Sequence, residues 1–180
     1  KELLTFGGKG SKLGGHPDRN KLDKIYASTG SLGHGFPIAV GTAMARKIMK
    51  KDGKVFCVIG DGEANEGSIW ESVLVAVNNK LDNLICVVDC NNSQIRSLDP
   101  KLTTDMFDSF GCDVVEVDGH NINSLVKVMK SDDSGKPKVI LANTIKGKGI
   151  KEIENDIFAW HHRAPNEEEY NRFCEEINES

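Results

Sequence analysis

Two short polar segments carry the residue types that hold a phosphate and a hard cation. In the first, GDGEANEG, Gly60 and Gly62 flank Asp61, so backbone can approach a phosphate while a carboxylate points into the same space. In the second, DCNNSQ, Asp89, Asn91 and Asn92 offer carboxylate and amide oxygens. Such oxygens suit magnesium or calcium and suit soft metals poorly. Magnesium takes only one or two side-chain ligands and completes its octahedron with phosphate oxygens and water, so Asp61 and Asn91 suffice. Taken singly, Gly-Asp-Gly is also the mark of a turn, and Asn-Asn of a polar loop. Their pairing favours the chemical reading. Each follows a short apolar run, and 28 residues separate Gly62 from Asn91, the length that one helix and one strand require.

The elements that must position these segments read as an α/β domain. Short apolar runs at Val55–Ile59, Leu84–Val88, Val114–Val117 and Val139–Ala142 have the pattern of parallel strands buried on both faces. Helical patterns run from Gly35 to about Lys50, Ser68 to Asn78, Thr104 to Phe110 and Asn123 to Lys130, and an acidic helix runs from Asn166 to about Ile177. The stretch up to about Tyr26, rich in Gly, Lys and Asp without a sustained period, reads as an ordered loop or a crossover. Alternating strands and helices predict three layers: a mostly parallel sheet with helices on both faces and right-handed crossovers. Ligands of such sheets bind beyond the carboxyl ends of the strands, where both polar segments fall.

Composition narrows the class. The 180 residues, 38% of them hydrophobic, are enough for one domain spanning 1–180 with its own core. A net charge of −4 argues against nucleic acid as a partner. The basic run Lys146, Lys148 and Lys151 either faces an anionic ligand or is a solvated loop. Cys57, Cys86, Cys90, Cys112 and Cys174 are odd in number and form no C-x-x-C pair, which suggests neither a disulfide framework nor a zinc site and fits a reducing cytoplasm. No apolar run is long enough to span a bilayer, and the first residues lack a signal-peptide core, so a soluble, unexported protein is expected.

Gly-Asp-Gly followed after about 24 to 30 residues by Asn-Asn, each at a strand end, resembles the signature of thiamine diphosphate enzymes. The surrounding segments SKLGGHPD from Ser11, STGSLGHG from Ser28, GDGEANEGSIWE from Gly60, DCNNSQ from Asp89, DGHN from Asp118, TIKGKG from Thr144 and WHHRAPN from Trp160 narrow the resemblance. They are similar to transketolases, and in particular to the N-terminal chain of the split, two-subunit kind.

The resemblance implies thiamine diphosphate held through Mg2+ (or Ca2+), with Asp61, the Asn91 side chain and the Ser93 carbonyl as metal ligands. Gly62 would touch the diphosphate, and Gly30 and Leu32 would line the cofactor site. His16 and His161 would approach the reacting centre or the diphosphate, with His162 an alternative to His161. His34 and His120 are expected to be structural. Glu66 and Glu71 match acidic positions that support the cofactor site and the subunit interface, although acids in a first helical turn also simply complement the dipole.

Two further expectations concern what the chain lacks. Family members carry an N-terminal segment with two more histidines, in SGHPG-like and SKGH-like sequences, upstream of where this chain starts. The glutamate that protonates the aminopyrimidine lies on a pyrimidine-binding domain with no counterpart here. A C-terminal transketolase-like partner chain is therefore expected, in a dimer of heterodimers acting on sugar phosphates. The same motif pair also occurs in 1-deoxyxylulose-phosphate synthases and 2-oxoacid dehydrogenase first components, but STGSLGHG and GGHPD favour transketolase. A non-catalytic remnant of the fold is the remaining alternative, and the intact Asp61, Gly62 and Asn91 argue against it.

Overall fold

The computed structural model describes residues 2–23, 25–94, 104–131 and 134–179. Four strands, β1 (Val55–Gly60), β2 (Leu84–Cys90), β3 (Asp113–Asp118) and β4 (Lys138–Asn143), form one sheet in the order β1-β2-β4-β3 with every pair parallel. The helices are α1 (Gly35–Ile48), α2 (Gly67–Asn78), α3 (Thr104–Ser109), α4 (Ile122–Met129), α5 (Lys151–Asn155) and α6 (Glu167–Glu179). Every strand and helix that the periodicity predicts is present, with ends shifted by one or two residues.

The strand order dictates the layers. The connections through α2 and α3 advance across the sheet from β1 to β2 and then to β3, whereas the connection through α4 runs back from β3 to β4. Right-handed crossovers in opposite directions place their helices on opposite faces. Burial follows this rule. On one face Ile59, Leu84, Cys86, Val88, Val139 and Leu141 pack with Ala39 and Ala43 of α1, Ile69, Val73 and Ala76 of α2, and Phe107 of α3. On the other face Ile85, Val87, Ile140 and Ala142 pack with Leu125, Val128 and Met129 of α4. Residues Ile69, Val73 and Ala76 recur at helical spacing and are at most 1% exposed, and burial of each of the two larger side chains is worth about 1.5–3 kcal/mol.

Strand β1 departs from the expected burial on both faces. Val55, Cys57 and Ile59 face the α1–α2 layer, but Phe56 and Val58 are 54% and 71% exposed. The reason is positional: β1 is one of the two edge strands of the described sheet, and α4 covers the other face over β2, β4 and β3 but does not reach β1.

The cysteines behave as small apolar side chains. All five are free, and burial pushes the Cys57 and Cys90 thiols up to about 11 and Cys112 to about 12. No helix among the described residues is long and apolar enough to cross a membrane.

The short helix α3 is held to the core chiefly by Phe107, fully buried and stacked on Trp70 at a centroid distance of 4.8 Å. Phe107→Ala is expected to destabilise the chain by about 3–5 kcal/mol in urea denaturation. A loss below about 1 kcal/mol would show that this contact does not anchor the helix.

Candidate functional site

Because all four strands run the same way, their carboxyl ends open on one edge of the sheet. The loops leaving them knit together by continuing the ladders. Asp61 N–H donates to the Asp89 carbonyl at 3.1 Å, Thr144 N–H to the Cys90 carbonyl at 3.3 Å, and Gly119 N–H to the Asn143 carbonyl at 2.8 Å. Gly60 and Asp89 are register partners, so the two polar segments singled out in the sequence lie side by side.

At this edge Asp61 is 4% exposed. Its Oδ1 accepts the Gly62 N–H at 2.8 Å. Burial pushes the Asp61 carboxyl above its ordinary value and the nearby Asp89 adds to the rise, while the Gly62 and Asn92 amides and the charge of Lys146 oppose it. A raised carboxyl makes the ionised form a cost to the fold at neutral pH, and a bound cation would offset that cost. Asn91 Nδ2 donates to Asp89 Oδ2 at 2.7 Å, and Asn91 Oδ1 accepts the Ser93 N–H at 3.0 Å and the Ser93 hydroxyl. Asp89 Oδ1 in turn accepts the Thr144 hydroxyl.

Thus a buried carboxylate and an amide oxygen stand on adjacent loops at the ends of β1 and β2, hard oxygens of the kind that suit magnesium completed by phosphate, with the Asn91 Oδ1 turned here to Ser93. Among the described residues no three His, Cys, Asp or Glu side chains cluster as a metal site.

A second group forms around the loop before α1. His16 lies against Gly30, where a Cβ would come within 2.8 Å of the imidazole Cγ, so this close approach requires glycine. Gly30 and Leu32 line a cavity of about 780 Å³ together with Glu63, Phe56 and Val58. Glu63 is the link between the two groups. Its Oε1 accepts the Gly33 N–H at 2.9 Å and its Oε2 the Gly60 N–H at 3.3 Å, tying the pre-α1 loop to the end of β1. The Ser68 hydroxyl, donating to the Gly33 carbonyl at 2.8 Å, adds a second tie from α2.

The remaining expected residues separate. Glu66 is exposed at the start of α2 without a side-chain capping bond, and Glu71 lies exposed along the same helix. His34 Nδ1 bonds the Leu32 carbonyl at 3.0 Å, within its own loop. His120 Nε2 accepts the Ile145 N–H at 2.8 Å. Of the adjacent pair, His161 meets Lys146, with Lys146 Nζ 2.8 Å from His161 Nδ1, whereas His162 touches the His161 ring edge to face at 4.5 Å. Lysine can only donate, so Nδ1 accepts and the neutral ring carries its proton on Nε2.

Of two further participants, Glu63 is given no role by the sequence and Lys146 is named there only as one of a basic run. Glu63 sits one residue beyond Gly-Asp-Gly, on the 3-10 turn Glu63–Asn65. Lys146 lies three residues after β4, and the strand-end rule applied to that strand is the signal that separates it from the rest of the basic run.

A parallel sheet whose strand ends gather a buried carboxylate, an asparagine and a lysine–histidine pair belongs to the α/β proteins whose ligands bind at that edge. Residues 1–173 match the family described as transketolase, thiamine diphosphate binding domain, and the chain belongs to that family. It is 42% identical over 181 residues to one of the named subunits of the apulose-4-phosphate transketolase of Actinobacillus succinogenes, covering 97% of this chain and 65% of that protein. It is 38% identical to the 6-deoxy-6-sulfo-D-fructose transketolase subunit SqwG of a Clostridium species, covering 87% of this chain and 60% of that one. The chain thus spans somewhat less than two thirds of the length of these relatives. The crystal structure of transketolase from Campylobacter jejuni superposes with a TM-score of 0.86 at 32% identity, covering 98% of this chain and 30% of that one.

The charge of Lys146 is the largest cause of a lowered His161 pKa, helped by slight desolvation and His162 and opposed by Asp61. His161 is therefore expected to titrate below the ordinary histidine value of 6.5 in an NMR pH series, staying neutral to lower pH than a free imidazole. Lys146→Met should bring the midpoint back up. An unchanged midpoint in that variant would remove Lys146 as the cause.

Proposed function

We propose that this chain is the diphosphate-binding subunit of a transketolase-type transferase. It would move a two-carbon ketol unit from a ketose bearing a phosphate or similar anionic group to an aldose, with a C-terminal transketolase-like partner chain supplying the pyrimidine-binding domain. The observation that carries this reading is the juxtaposition of buried Asp61 with Asn91 on register-matched ends of β1 and β2. The relatives support it: they are named as subunits of transketolases, and their named sugars carry a phosphate or a sulfo group.

In this reading Asp61, the Asn91 side chain and the Ser93 carbonyl would hold Mg2+ (or Ca2+), the Asn91 amide oxygen giving up its bond from the Ser93 hydroxyl, and Gly62 backbone would meet the diphosphate. Gly30 and Leu32 line the cofactor site, which Glu66 supports from the start of α2. Lys146 places a positive charge beside the anionic group and fixes the tautomer of His161, which donates from Nε2 to a diphosphate or substrate oxygen. His16, held over Gly30, is the second histidine able to bond substrate oxygens or carry a proton, a role worth roughly 10²–10⁴-fold in rate. Thiamine diphosphate, when bound, supplies a nucleophilic carbon and an electron sink for the carbanion. The chain's own work is orientation, charge neutralisation and exclusion of water. The assembly we propose is a dimer of heterodimers. The free cysteines suit the reducing cytoplasm as its compartment.

Calorimetric titration of magnesium and thiamine diphosphate into this chain, alone and with its partner chain, tests the proposal. Tight binding in the mixture is expected, and Asp61→Ala should abolish it. Wild-type affinity or full activity in Asp61→Ala would remove the metal assignment, and turnover of pyruvate in place of a ketose phosphate would point to a different donor class.

A further inference from the structure

The chain leaves the sheet at the end of β4, and the direction it takes decides where Lys146 goes. Thr144 still belongs to the sheet edge: its N–H continues the β2–β4 ladder to Cys90 and its hydroxyl is bound by Asp89. Ile145 is the first residue past that ladder, and its amide donates to His120 Nε2 at 2.8 Å. A backbone N–H only donates, so Nε2 is the unprotonated acceptor and the imidazole carries its proton on Nδ1.

His120 is itself firmly placed. Its own N–H donates to Asp118 Oδ1 at 2.9 Å, and the preceding Gly119 N–H bonds the Asn143 carbonyl at 2.8 Å. Gly119 passes so close over the end of β4 that a Cβ there would fall 2.4 Å from Thr144 Cγ2 and 3.0 Å from the Asn143 carbonyl oxygen. The β3 loop is thereby pressed onto the β4 loop, with the imidazole reaching one residue further along it.

From these contacts we propose that His120 is a positioning residue, seating Lys146 against His161 by accepting the Ile145 amide. It acts through one backbone bond: the residue after Ile145 is Lys146, whose ammonium lies 2.8 Å from His161 Nδ1. The turn that follows, closed by Lys148 N–H to the Ile145 carbonyl at 3.1 Å, starts from the same residue. A lone loop amide needs no histidine to stay bonded, because water would serve. What the imidazole adds is a fixed direction, given by a ring whose backbone is held on both sides.

The consequence for cofactor or substrate binding rests on the function proposed above, but the positioning itself does not. The first measurement therefore needs no cofactor. In the isotopically labelled chain, His120→Phe keeps a ring and removes the acceptor, whereas His120→Gln keeps an acceptor. In the Phe variant the Ile145 amide proton should move upfield, and the His161 midpoint should rise toward the ordinary histidine value as Lys146 leaves. The groups that otherwise act on His161, namely His162 and Asp61, are unaltered. The Gln variant should recover part of both signals, and the thermal melting of all three chains should agree closely.

The second measurement is magnesium and thiamine diphosphate titration of the mixture with the partner chain, where His120→Phe should weaken binding about tenfold, the effect of losing one hydrogen bond. An unchanged His161 midpoint in His120→Phe, or one that moves equally in the Phe and Gln variants, would overturn the proposal. If the wild-type mixture binds no thiamine diphosphate, the reading of the site falls, while the Ile145 and His161 signals still decide the role of His120.

Discussion

Parallel pairing is the constraint on which the rest of this structure depends. With β1, β2, β4 and β3 all running in one direction, four loops must emerge at the same edge, and the register sets which residues meet there. Gly60 opposite Asp89 puts Asp61 beside the Asn91 turn, and Asp118 opposite Asn143 puts His120 over Ile145. A slip of one residue in either pair would turn every side chain on that strand to the other face and dissolve both juxtapositions. The two apolar layers, α1 to α3 on one face and α4 on the other, hold that register by burying alternate residues of β2 and β4 in opposite directions.

Charge at this edge is arranged around three carboxylates. Asp61 is buried and raised, Asp89 is occupied by the Asn91 amide and the Thr144 hydroxyl, and Glu63 commits both oxygens to backbone amides. Lys146 approaches from β4 with its charge acting on both Asp61 and His161. In the function proposed above, a divalent cation and a polyanion entering together would stabilise such a site, because the cation would relieve the carboxylates and the polyanion the lysine. The loop before α1 and the end of β1 are tied together by the bridging carboxylate of Glu63.

Much of this is legible in the chain. Short apolar runs separated by amphipathic patterns identify all four strands and every α-helix except α5, whose five residues Lys151–Asn155 read as part of a charged loop because one turn is too short to show a period. The Gly-Asp-Gly and Asn-Asn segments stand out because each follows a strand, where a parallel sheet must place its ligands. The burial of β1 differs from expectation for a physical reason: an apolar run looks the same in a central strand and at an edge, and only the neighbours decide. Glu63 lies within the quoted GDGEANEG segment without a role read for it, and His120 reads as merely structural, because the distant partners of the two are backbone amides 30 and 25 residues away. Backbone amides are present at every position and leave no mark in a sequence.

The sequence by itself determined the order of the four strands and the longer helices, the oxygen-rich segments after β1 and β2, and the family resemblance carried by its motifs. Those properties depend on local residue type and spacing. Only the tertiary structure decided that His161 rather than His162 meets Lys146, that Glu63 ties the Gly30 loop to the strand end, and that the His120 ring meets the loop carrying Lys146. Each of these depends on strand order and register, which bring residues distant in the chain within hydrogen-bonding distance, and neither can be computed from composition or periodicity.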